Sequence, residues 1–420
     1  MTVEIDTLPN GLRVVTDRMP GVESVTIGVW AAAGTRDEAP EVNGVAHLLE
    51  HMAFKGTERR RAEDIAFEIE AVGGHLNAYT AREHTAYYAR VLKSDLPLAV
   101  DLLADILQHA TFEEAELARE REVILQEIGQ AHDTPDDVVF DRFQETAYPD
   151  QAIGRPVLGR VEVIRGMGRE TVVDYRRRHY APRRLVLAAA GNLEHRAVMD
   201  LAAAAFDSLS AEQPEAFEPA RYAGGEFREA RALEQAHLVL GFNGVGFHDA
   251  DYFALSVLST LLGGGMSSRL FQEVREKRGL CYAIYSFASS YVDGGLFGIY
   301  AGTGEDQVRE LVAVVSDELC RLADGGTIEE VELARARAQL RSGILMSLES
   351  TAARCERLGQ QMLVYGRPLG VDEIVAGIEA VDARMACAVA ARLTAQRPTV
   401  AALGRVDRLE PFEAIAGRFA

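Results

Sequence analysis

Two segments far apart in the chain carry nearly the same sequence. Residues 111–122 read TFEEAELARERE and residues 327–338 read TIEEVELARARA, and eight of these twelve positions are identical at an offset of 216. A helix rich in Glu, Ala and Arg can match another through composition alone, so the match needs support from its surroundings. If the flanking segments also correspond, the chain contains a duplicated domain.

The segments around the repeat do correspond in order. Each half begins with an alternating apolar strand, SVTIGVWAAAG from Ser24 and HLVLGFNGVGF from His237, and a second strand follows, HTAYYARVL from His84 and GGLFGIYAG from Gly294. A helix near 95–109 or 305–322 then precedes the matched helix. This order predicts an α+β fold of two homologous domains, each a mainly antiparallel sheet packed with helices.

The boundary between the two domains is predicted at a linker, residues 212–226. Its sequence, EQPEAFEPARYAGGE, has two prolines, two glycines and no sustained hydrophobic period. We therefore expect residues 1–211 and 227–420 to form the two domains.

Composition excludes several classes of protein. The 44 basic and 64 acidic residues give a net charge of -20, which would repel nucleic acid. No apolar run is long enough to span a membrane, and the amino terminus lacks the features of a signal peptide. The four cysteines form no CxxC pair and favour a reducing compartment, so we expect a cytoplasmic protein. The acidic excess either forms an ordinary soluble surface or lines a cavity that favours basic peptides.

The segment NGVAHLLEHMAFKGT, residues 43–57, carries the strongest chemical signal. Its apolar spacing predicts a helix, with Asn43 as the expected cap. His47 and His51 are four residues apart and share one face of that helix, with Glu50 beside them. Two imidazoles at this spacing can bind one Zn²⁺, and the carboxylate can accept a proton from a water that the metal activates. The alternative is a pair of surface histidines with a neighbouring Glu.

A zinc site of this kind needs a third protein ligand. Glu127 lies in the apolar stretch VILQEIGQA of the helix predicted over 112–131, and Glu120 lies two turns earlier on the same face. A carboxylate turned toward a core is costly unless a cation compensates it, which favours a metal ligand. The alternative is that both are solvated helix residues.

These motifs resemble the pitrilysin superfamily of inverzincin zinc metallopeptidases, whose HxxEH reverses the HExxH order. The resemblance is strongest to the mitochondrial processing peptidase and its short bacterial relatives. Glu127 falls 76 residues after His51, and Glu120 falls seven before Glu127, as in that family. The resemblance implies that His47, His51 and Glu127 hold Zn²⁺, that Glu50 is the general base and that Glu120 orients the ligands.

The repeat predicts one zinc per chain. At the offset of 216 the positions that match the ligands and the base are occupied by residues that do not usually bind zinc. They are Gly263, Met266, Ser267 and Gly343.

The resemblance also assigns roles in the second half. Arg275 and Tyr282 stand seven apart, at the spacing of an Arg and a Tyr that reach the zinc of the first domain and stabilise charge in the transition state. The alternative is an Arg at a helix end and a Tyr on a strand that merely pack. The two domains are expected to be arranged as a clamshell.

Further residues are candidates for binding substrate. The segment HLNAYT, residues 75–80, resembles the family's edge strand that pairs with an extended peptide, with Asn77 and Ala78 at the matching positions. Asp137 and Asp141 in DDVVFDRF resemble the acids that receive a basic residue near the cleavage point. They are alternatively two solvated acids on a surface helix.

The resemblance therefore implies a zinc endopeptidase that acts on short or unfolded peptides in an enclosed chamber. The resemblance implies a preference for basic residues near the cleavage site and a dimer, either a homodimer or a heterodimer with a homologous subunit. The alternative is a structural or assembly subunit without activity, resembling the core proteins of a respiratory complex.

Overall fold

The computed structural model describes residues 3–209 and 217–419. The strands are β1 Val3–Thr7, β2 Arg13–Arg18, β3 Ser24–Ala31, β4 His75–Thr80, β5 Thr85–Leu92, β6 Leu185–Gly191, β7 Gly225–Ala230, β8 Ala236–Asn243, β9 Cys281–Ser290, β10 Gly295–Thr303 and β11 Thr399–Gly404. The helices are α1 Val45–Ala53, α2 Ala62–Ala71, α3 Leu96–Gln108, α4 Glu114–His132, α5 Pro135–Ala147, α6 Val161–Gly166, α7 Arg169–His179, α8 His195–Ala205, α9 Tyr252–Gly263, α10 Val308–Ala323, α11 Glu330–Ser347, α12 Thr351–Tyr365, α13 Val371–Glu379, α14 Ala383–Thr394 and α15 Phe412–Ala416. A π-helical turn spans Phe271–Glu276.

The chain divides into two compact units, called here the first and the second unit. The first unit comprises Met1–Gly129, Arg155–Glu218 and Leu345–Leu369. The second unit comprises Gln130–Gly154, Pro219–Ile344 and Gly370–Ala420.

The first unit is built on a sheet with strand order β1-β2-β6-β3-β5-β4 among the described residues. The pair β2 and β6 is parallel, and the other neighbours are antiparallel. On β3, Val25, Ile27 and Val29 lie in one apolar core, whereas Trp30 lies in a second core on the opposite face. Both faces of this sheet are therefore covered, which explains why β3 reads as an almost continuous apolar run.

The second unit repeats this plan. Its sheet has strand order β7-β11-β8-β10-β9 among the described residues, with β7 and β11 parallel and the other neighbours antiparallel. Helices α9, α10 and α14 contribute to the larger of its cores. The predicted fold class, α+β with mainly antiparallel sheets, is confirmed in each unit.

One helix from each half of the sequence belongs to the unit that is built mainly from the other half. Helix α12 follows the repeat in the second half, yet its Cys355, Leu358 and Met362 join Trp30 in a core of the first unit. Helix α5 follows the repeat in the first half, yet its Val139 and Phe143 lie in a core of the second unit. The predicted division at one linker does not contain this exchange, because an apolar helix face does not specify which of two similar sheets it covers.

The linker prediction falls partly outside the described residues, since residues 212–216 are not among them. Residues 217–224 form neither helix nor strand, and one passage of the chain between the units, from Glu218 to Pro219, lies there. The last two linker residues instead begin β7. Among the described residues, no helix combines the length and the apolar character that crossing a membrane requires.

Candidate metal centre

Helix α1 presents two faces of different chemistry. Val45, Leu48, Leu49 and Met52 are buried in the main core of the first unit. His47, Glu50 and His51 lie on the remaining face and are only partly buried. The apolar face fixes the helix against the core and leaves the polar face free for chemistry.

The start of α1 differs from the prediction that Asn43 caps it. The capping position is Gly44, which has φ of 96° and offers no side chain. The carboxylate of Glu38 takes the capping role, because it accepts hydrogen bonds from the backbone N–H groups of Gly44 and Ala46, each at 2.8 Å. Asn43 donates its side-chain amide to the same carboxylate at 2.9 Å. The sequence rule failed because the capping side chain is not adjacent to the helix.

Helix α4 brings Glu127 to the two histidines of α1. Its Oε2 lies 3.8 Å from His47 Nε2 and 3.6 Å from His51 Nε2. Each residue offers one ligand atom, and these atoms all lie within 4.8 Å of one another. Two ligand atoms that are each 2.0 to 2.1 Å from a tetrahedral zinc are separated by about 3.4 Å. The donor set and its spacing therefore fit Zn²⁺.

The protonation state of His47 also suits a metal. Burial, and to a smaller extent the neighbouring His51, lower the pKa of His47 to about 4. A neutral imidazole offers a ring lone pair, so the approach of His47 to Glu127 is better explained by two ligands around a cation than by an ion pair.

Glu120 and Lys55 fix the second histidine. His51 Nδ1 and Glu120 Oε2 are 3.0 Å apart, so an Nδ1–H donor leaves Nε2 free to bind a metal. Lys55 Nζ forms an ion pair with the other oxygen of Glu120 at 2.8 Å. Glu120 is only 5% exposed. Its carboxylate is tolerated there because Lys55 supplies a cation and His51 supplies a hydrogen-bond donor.

Glu50 lies beside the ligands and has the environment of a base. Thr80 donates its hydroxyl to Glu50 Oε2 at 2.6 Å. Burial raises the pKa of Glu50, while the Thr80 hydrogen bond opposes that rise. A carboxylate with a raised pKa is a stronger proton acceptor than an exposed one, which is what general-base catalysis needs.

In the described part of the second unit, the positions that correspond to the ligands hold residues that do not usually bind zinc. Counted from the helix starts at Val45 and Tyr252, the positions of His47, Glu50 and His51 are occupied in α9 by buried apolar residues. They are Ala254, Val257 and Leu258. Counting from the helix starts thus gives different residues from the constant offset of 216, and neither set contains a usual zinc ligand. In α11 the position that corresponds to Glu127 at the offset of 216 is Gly343.

Arg275 and Tyr282 lie in the second unit, on the π-helical turn and on β9. The Arg275 guanidinium lies over the Tyr282 ring at 4.7 Å and over the Phe271 ring at 4.6 Å. Tyr282 is 76% exposed. The two residues thus contact each other, and their roles toward a substrate remain predictions.

The predicted substrate strand is β4, which lies at an edge of its sheet. It pairs with β5, and no described strand lies on its other side. The side chain of Asn77 is exposed and accepts a hydrogen bond from the Ala78 N–H at 2.8 Å. The edge position agrees with the sequence analysis, and pairing with a peptide remains a prediction.

Asp137 and Asp141 lie on α5, within the second unit. Asp137 is exposed and Asp141 is partly buried. Their assignment to a basic substrate residue remains a prediction.

Three residues of the centre were not identified from the sequence. Lys55 could have been found from the sequence, because it lies four residues after His51 and this spacing is typical of residues that share a helical face. Thr80 ends the segment HLNAYT, which was considered only for its backbone. Glu38 has no local signal, since its capping contact depends on the path of the loop that precedes α1.

Comparison with known proteins decides the family. Residues 13–160 match the model described as Insulinase (Peptidase family M16), and residues 167–340 match the model described as Peptidase M16 inactive domain. An uncharacterized zinc protease of Streptomyces coelicolor is 44% identical over 96% of this chain and 90% of its own. The chain belongs to peptidase family M16. It is therefore a metallopeptidase, which confirms the predicted superfamily and enzyme class.

The chain is also similar to a further relative and to two solved structures. Subunit beta of the mitochondrial-processing peptidase of Rattus norvegicus is 41% identical over 98% of this chain and 86% of its own. Among solved structures, a protease from Helicobacter pylori superposes with a TM-score of 0.90 at 23% identity, covering 96% of this chain and 99% of the other. A chain of Complex III2 from Candida albicans superposes with a TM-score of 0.89 at 20% identity, covering 100% of both. The last two similarities concern the fold alone.

Proposed function

We propose that this M16 protein is a zinc-dependent endopeptidase that hydrolyses short or unfolded peptides. The observation that carries the proposal is the convergence of His47, His51 and Glu127, whose ligand atoms lie within 4.8 Å of one another. Glu50, a base with a raised pKa, lies on the same helix face. We propose one Zn²⁺ per chain, because the matched positions of α9 and α11 offer no ligands.

The reaction assigns a distinct task to each side chain. When bound, zinc acts as a Lewis acid toward the peptide carbonyl and makes water more acidic. Glu50 accepts the proton of the attacking water and returns it to the leaving amine. Thr80 holds the Glu50 carboxylate through its 2.6 Å hydrogen bond, so that the proton acceptor keeps one orientation.

Arg275 and Tyr282 are proposed to stabilise the charge that grows on the carbonyl oxygen. The Tyr282 hydroxyl is a donor on an exposed side chain, and the guanidinium of Arg275 packs over its ring at 4.7 Å. A donor of this kind contributes about 100-fold or more to turnover when it reaches the oxyanion. The Arg contact orients the Tyr ring and limits its rotation.

The substrate backbone is proposed to add a strand next to β4. The outer edge of β4 faces no described strand, and the Ala78 N–H, which donates to the Asn77 side chain, would transfer its hydrogen bond to the peptide. Pairing through the backbone gives affinity with little dependence on sequence, as expected for an enzyme that accepts unfolded segments.

We further propose a processing-type preference for basic residues near the cleavage site. Asp137 and Asp141 are one helical turn apart on α5 and would pair with an arginine in a bidentate manner. A relative at 41% identity is named as a subunit of a mitochondrial-processing peptidase, which supports this choice.

The proposed working form is a dimer that encloses a chamber. A homodimer is the simplest form, and a heterodimer with a homologous subunit is the alternative. We place the protein in the cytoplasm, where its four free cysteines would stay reduced. Analytical ultracentrifugation of the purified protein tests this: a stable monomer that still cleaves peptides would contradict the dimer.

The test of function is product analysis with a peptide library. Wild-type protein and Glu50→Gln are incubated with mixed peptides, and the products are identified by mass spectrometry. We expect cleavage by the wild type, loss of at least about 100-fold in Glu50→Gln, and retained zinc in both. Glu122→Gln, the same substitution on the exposed face of α4, serves as the control and should cleave normally.

The zinc content and the cleavage products also distinguish a peptidase from a non-catalytic protein. A protein without zinc, in which Glu50→Gln changes nothing, would be a structural or assembly subunit rather than a peptidase. Bound zinc and bound peptide without cleavage products would indicate a binding module.

A further inference from the structure

A fully enclosed carboxylate lies at the start of the helix that carries both histidines. Glu38 is 3% exposed, although it belongs to a loop. Its Oε1 accepts the N–H of Ala46 at 2.8 Å, and its Oε2 accepts the N–H of Gly44 at 2.8 Å. The Asn43 side-chain amide also donates to Oε2, at 2.9 Å. Both oxygens of Glu38 therefore act as hydrogen-bond acceptors for the start of the helix.

The residues around Gly44 leave little room for the start of α1 to move. A Cβ on Gly44 would lie 2.6 Å from Ile164 Cδ1 and 2.9 Å from Gly159 Cα, so the backbone of the helix start is in direct contact with the loop that precedes α6. Asn43 also donates to the Pro156 carbonyl of that loop at 3.2 Å. Arg155 donates to the Glu38 carbonyl. The first turn of α1 is thus held on several sides, and Glu38 lies at the centre of those contacts.

The Glu38 carboxylate holds the first turn of α1 next to the metal ligands without contacting them. Ala46, which donates to Glu38, immediately precedes His47, and His51 follows one turn later on the same helix. A displacement of the first turn would move both Nε2 atoms relative to Glu127, which is carried by the separate helix α4. Metal sites lose affinity when their ligands are held less accurately.

We propose that Glu38 is a positioning residue of the metal centre, fixing the first turn of α1 so that His47 and His51 meet Glu127 around the zinc. The inference rests on the proposed zinc-dependent function. It adds a residue that neither touches the metal nor hydrogen-bonds to a ligand side chain.

The second unit provides a matched control. Helix α9 also begins beside a carboxylate, that of Asp249, whose Oδ1 accepts the Asp251 N–H at 2.9 Å. Arg392 pairs with Asp249 at 2.8 Å, and both side chains are partly exposed. Because α9 carries no metal ligand, neutralising Asp249 removes a helix-start carboxylate without affecting the metal centre.

The electrostatics show that enclosing the Glu38 carboxylate carries a cost of burial. Burial raises the pKa of Glu38 to about 7, even though its hydrogen bonds with Ala46, Gly44 and Asn43 and the charge of Arg155 act in the opposite direction. A carboxyl group that is costly to bury and is nevertheless enclosed among donors is better explained by a positioning task than by stability.

The experiment compares the metal affinities of wild type, Glu38→Gln and Asp249→Asn. Affinity for Zn²⁺ is measured by competition with a chelator, and Co²⁺ is used as a spectroscopic probe of ligand geometry. We expect Glu38→Gln to lose at least about tenfold in metal affinity, with an altered Co²⁺ absorption spectrum. We also expect kcat to fall while KM stays unchanged. Asp249→Asn should match the wild type in affinity, spectrum and kcat.

Two results would overturn the inference. One is a Glu38→Gln protein with wild-type affinity and spectrum, and the other is an equal loss in Asp249→Asn. Should Glu38→Gln fail to fold, Glu38→Asp replaces it, because it keeps the charge while its shorter side chain cannot accept the N–H groups of both Gly44 and Ala46. An unchanged Co²⁺ spectrum in that variant contradicts the proposal. A wild type that binds no zinc refutes the proposed function itself, so the two failures are distinguishable.

Discussion

Helices α4 and α11 share a sequence motif but not a chemistry. Glu120 of α4 and Ala336 of α11 occupy the same position of the repeat, and they are 5% and 3% exposed. Burial at this position is thus a property of the shared fold. A carboxylate is tolerated there only in the first unit, where Lys55 and His51 are its partners. The duplicated scaffold therefore supplies the buried location, and a few polar contacts in the first unit supply the metal centre.

The largest expected effect comes from placing the same carboxylate in the other unit. Ala336 lies in an apolar core with Leu333 and Val389, so Ala336→Glu buries a charge without the partners that Glu120 has. We expect a loss of about 3 kcal/mol in the free energy of unfolding, measured by urea denaturation. Ala336→Leu separates the effect of charge from that of volume. An Ala336→Glu protein as stable as the wild type would mean that partners are not what makes the buried position of Glu120 tolerable.

The next largest effect is on zinc binding and compares Glu127, the proposed third ligand, with Gly343, which occupies the same position of the repeat in α11. Glu127→Gln should weaken zinc binding by more than about 100-fold, because loss of a group that only orients a ligand already costs 10- to 100-fold. Gly343 is exposed in α11, so Gly343→Glu is well tolerated there. It should not add a second zinc, because Ala254 and Leu258 offer no donors. Metal analysis after gel filtration measures both, and a second bound zinc in Gly343→Glu would contradict the comparison.

Glu38 at the start of α1 and Asp249 at the start of α9 should make contributions to folding stability that depend on pH in opposite directions. The pKa of Glu38 is raised from 4.5 to about 7, so the folded state binds this proton more tightly and stability falls as the pH rises through that window. Hydrogen bonds with Arg392 lower the pKa of Asp249 below 3.8, so its contribution is present above that pH and is lost as the pH falls.

Unfolding of the metal-free protein at several pH values tests these signs. Between pH 5 and 7 the wild type should lose about 2 kcal/mol relative to Glu38→Gln, in keeping with 1.36 kcal/mol per unit of pKa. Asp249→Asn should follow the wild type in that range and differ from it only in acid. Parallel curves for wild type and Glu38→Gln would show that Glu38 does not titrate as described.

The smallest expected effect concerns the orientation of His51. Glu120→Gln keeps the shape of the side chain but removes the charge that pairs with Lys55 and orients the imidazole. We expect about a tenfold loss in zinc affinity, measured by chelator competition. Glu116→Gln, one turn earlier on α4, is the control and should change nothing. A loss as large as that of Glu127→Gln would instead indicate that Glu120 is itself a ligand.

Much of the fold could be predicted because its signals are local. The alternation around Ser24 and His237 predicted β3 and β8, and the repeat predicted α4 and α11. The exchange of α5 and α12 could not be predicted. Both helices occupy equivalent positions of the repeat, and each could cover either sheet by its pattern alone.

The centre was predictable where spacing along a helix fixes the geometry. His47, Glu50 and His51 share one face through their spacing, and the resemblance supplied Glu127, which the structure places 3.6 Å from His51. Glu38 could not be found in this way. Its contact with the helix start depends on a loop conformation, and the rule for caps pointed to Asn43 instead. Contacts that arise from tertiary structure leave no periodic signal in the sequence.

The location of zinc in a crystal of the wild-type protein tests the central claim most directly. Anomalous diffraction recorded on both sides of the zinc absorption edge should give one peak per chain, lying between His47 Nε2, His51 Nε2 and the Glu127 carboxylate. A zinc-loaded crystal with no peak at these three atoms, or with its peak among the residues of α9 and α11, would contradict the account.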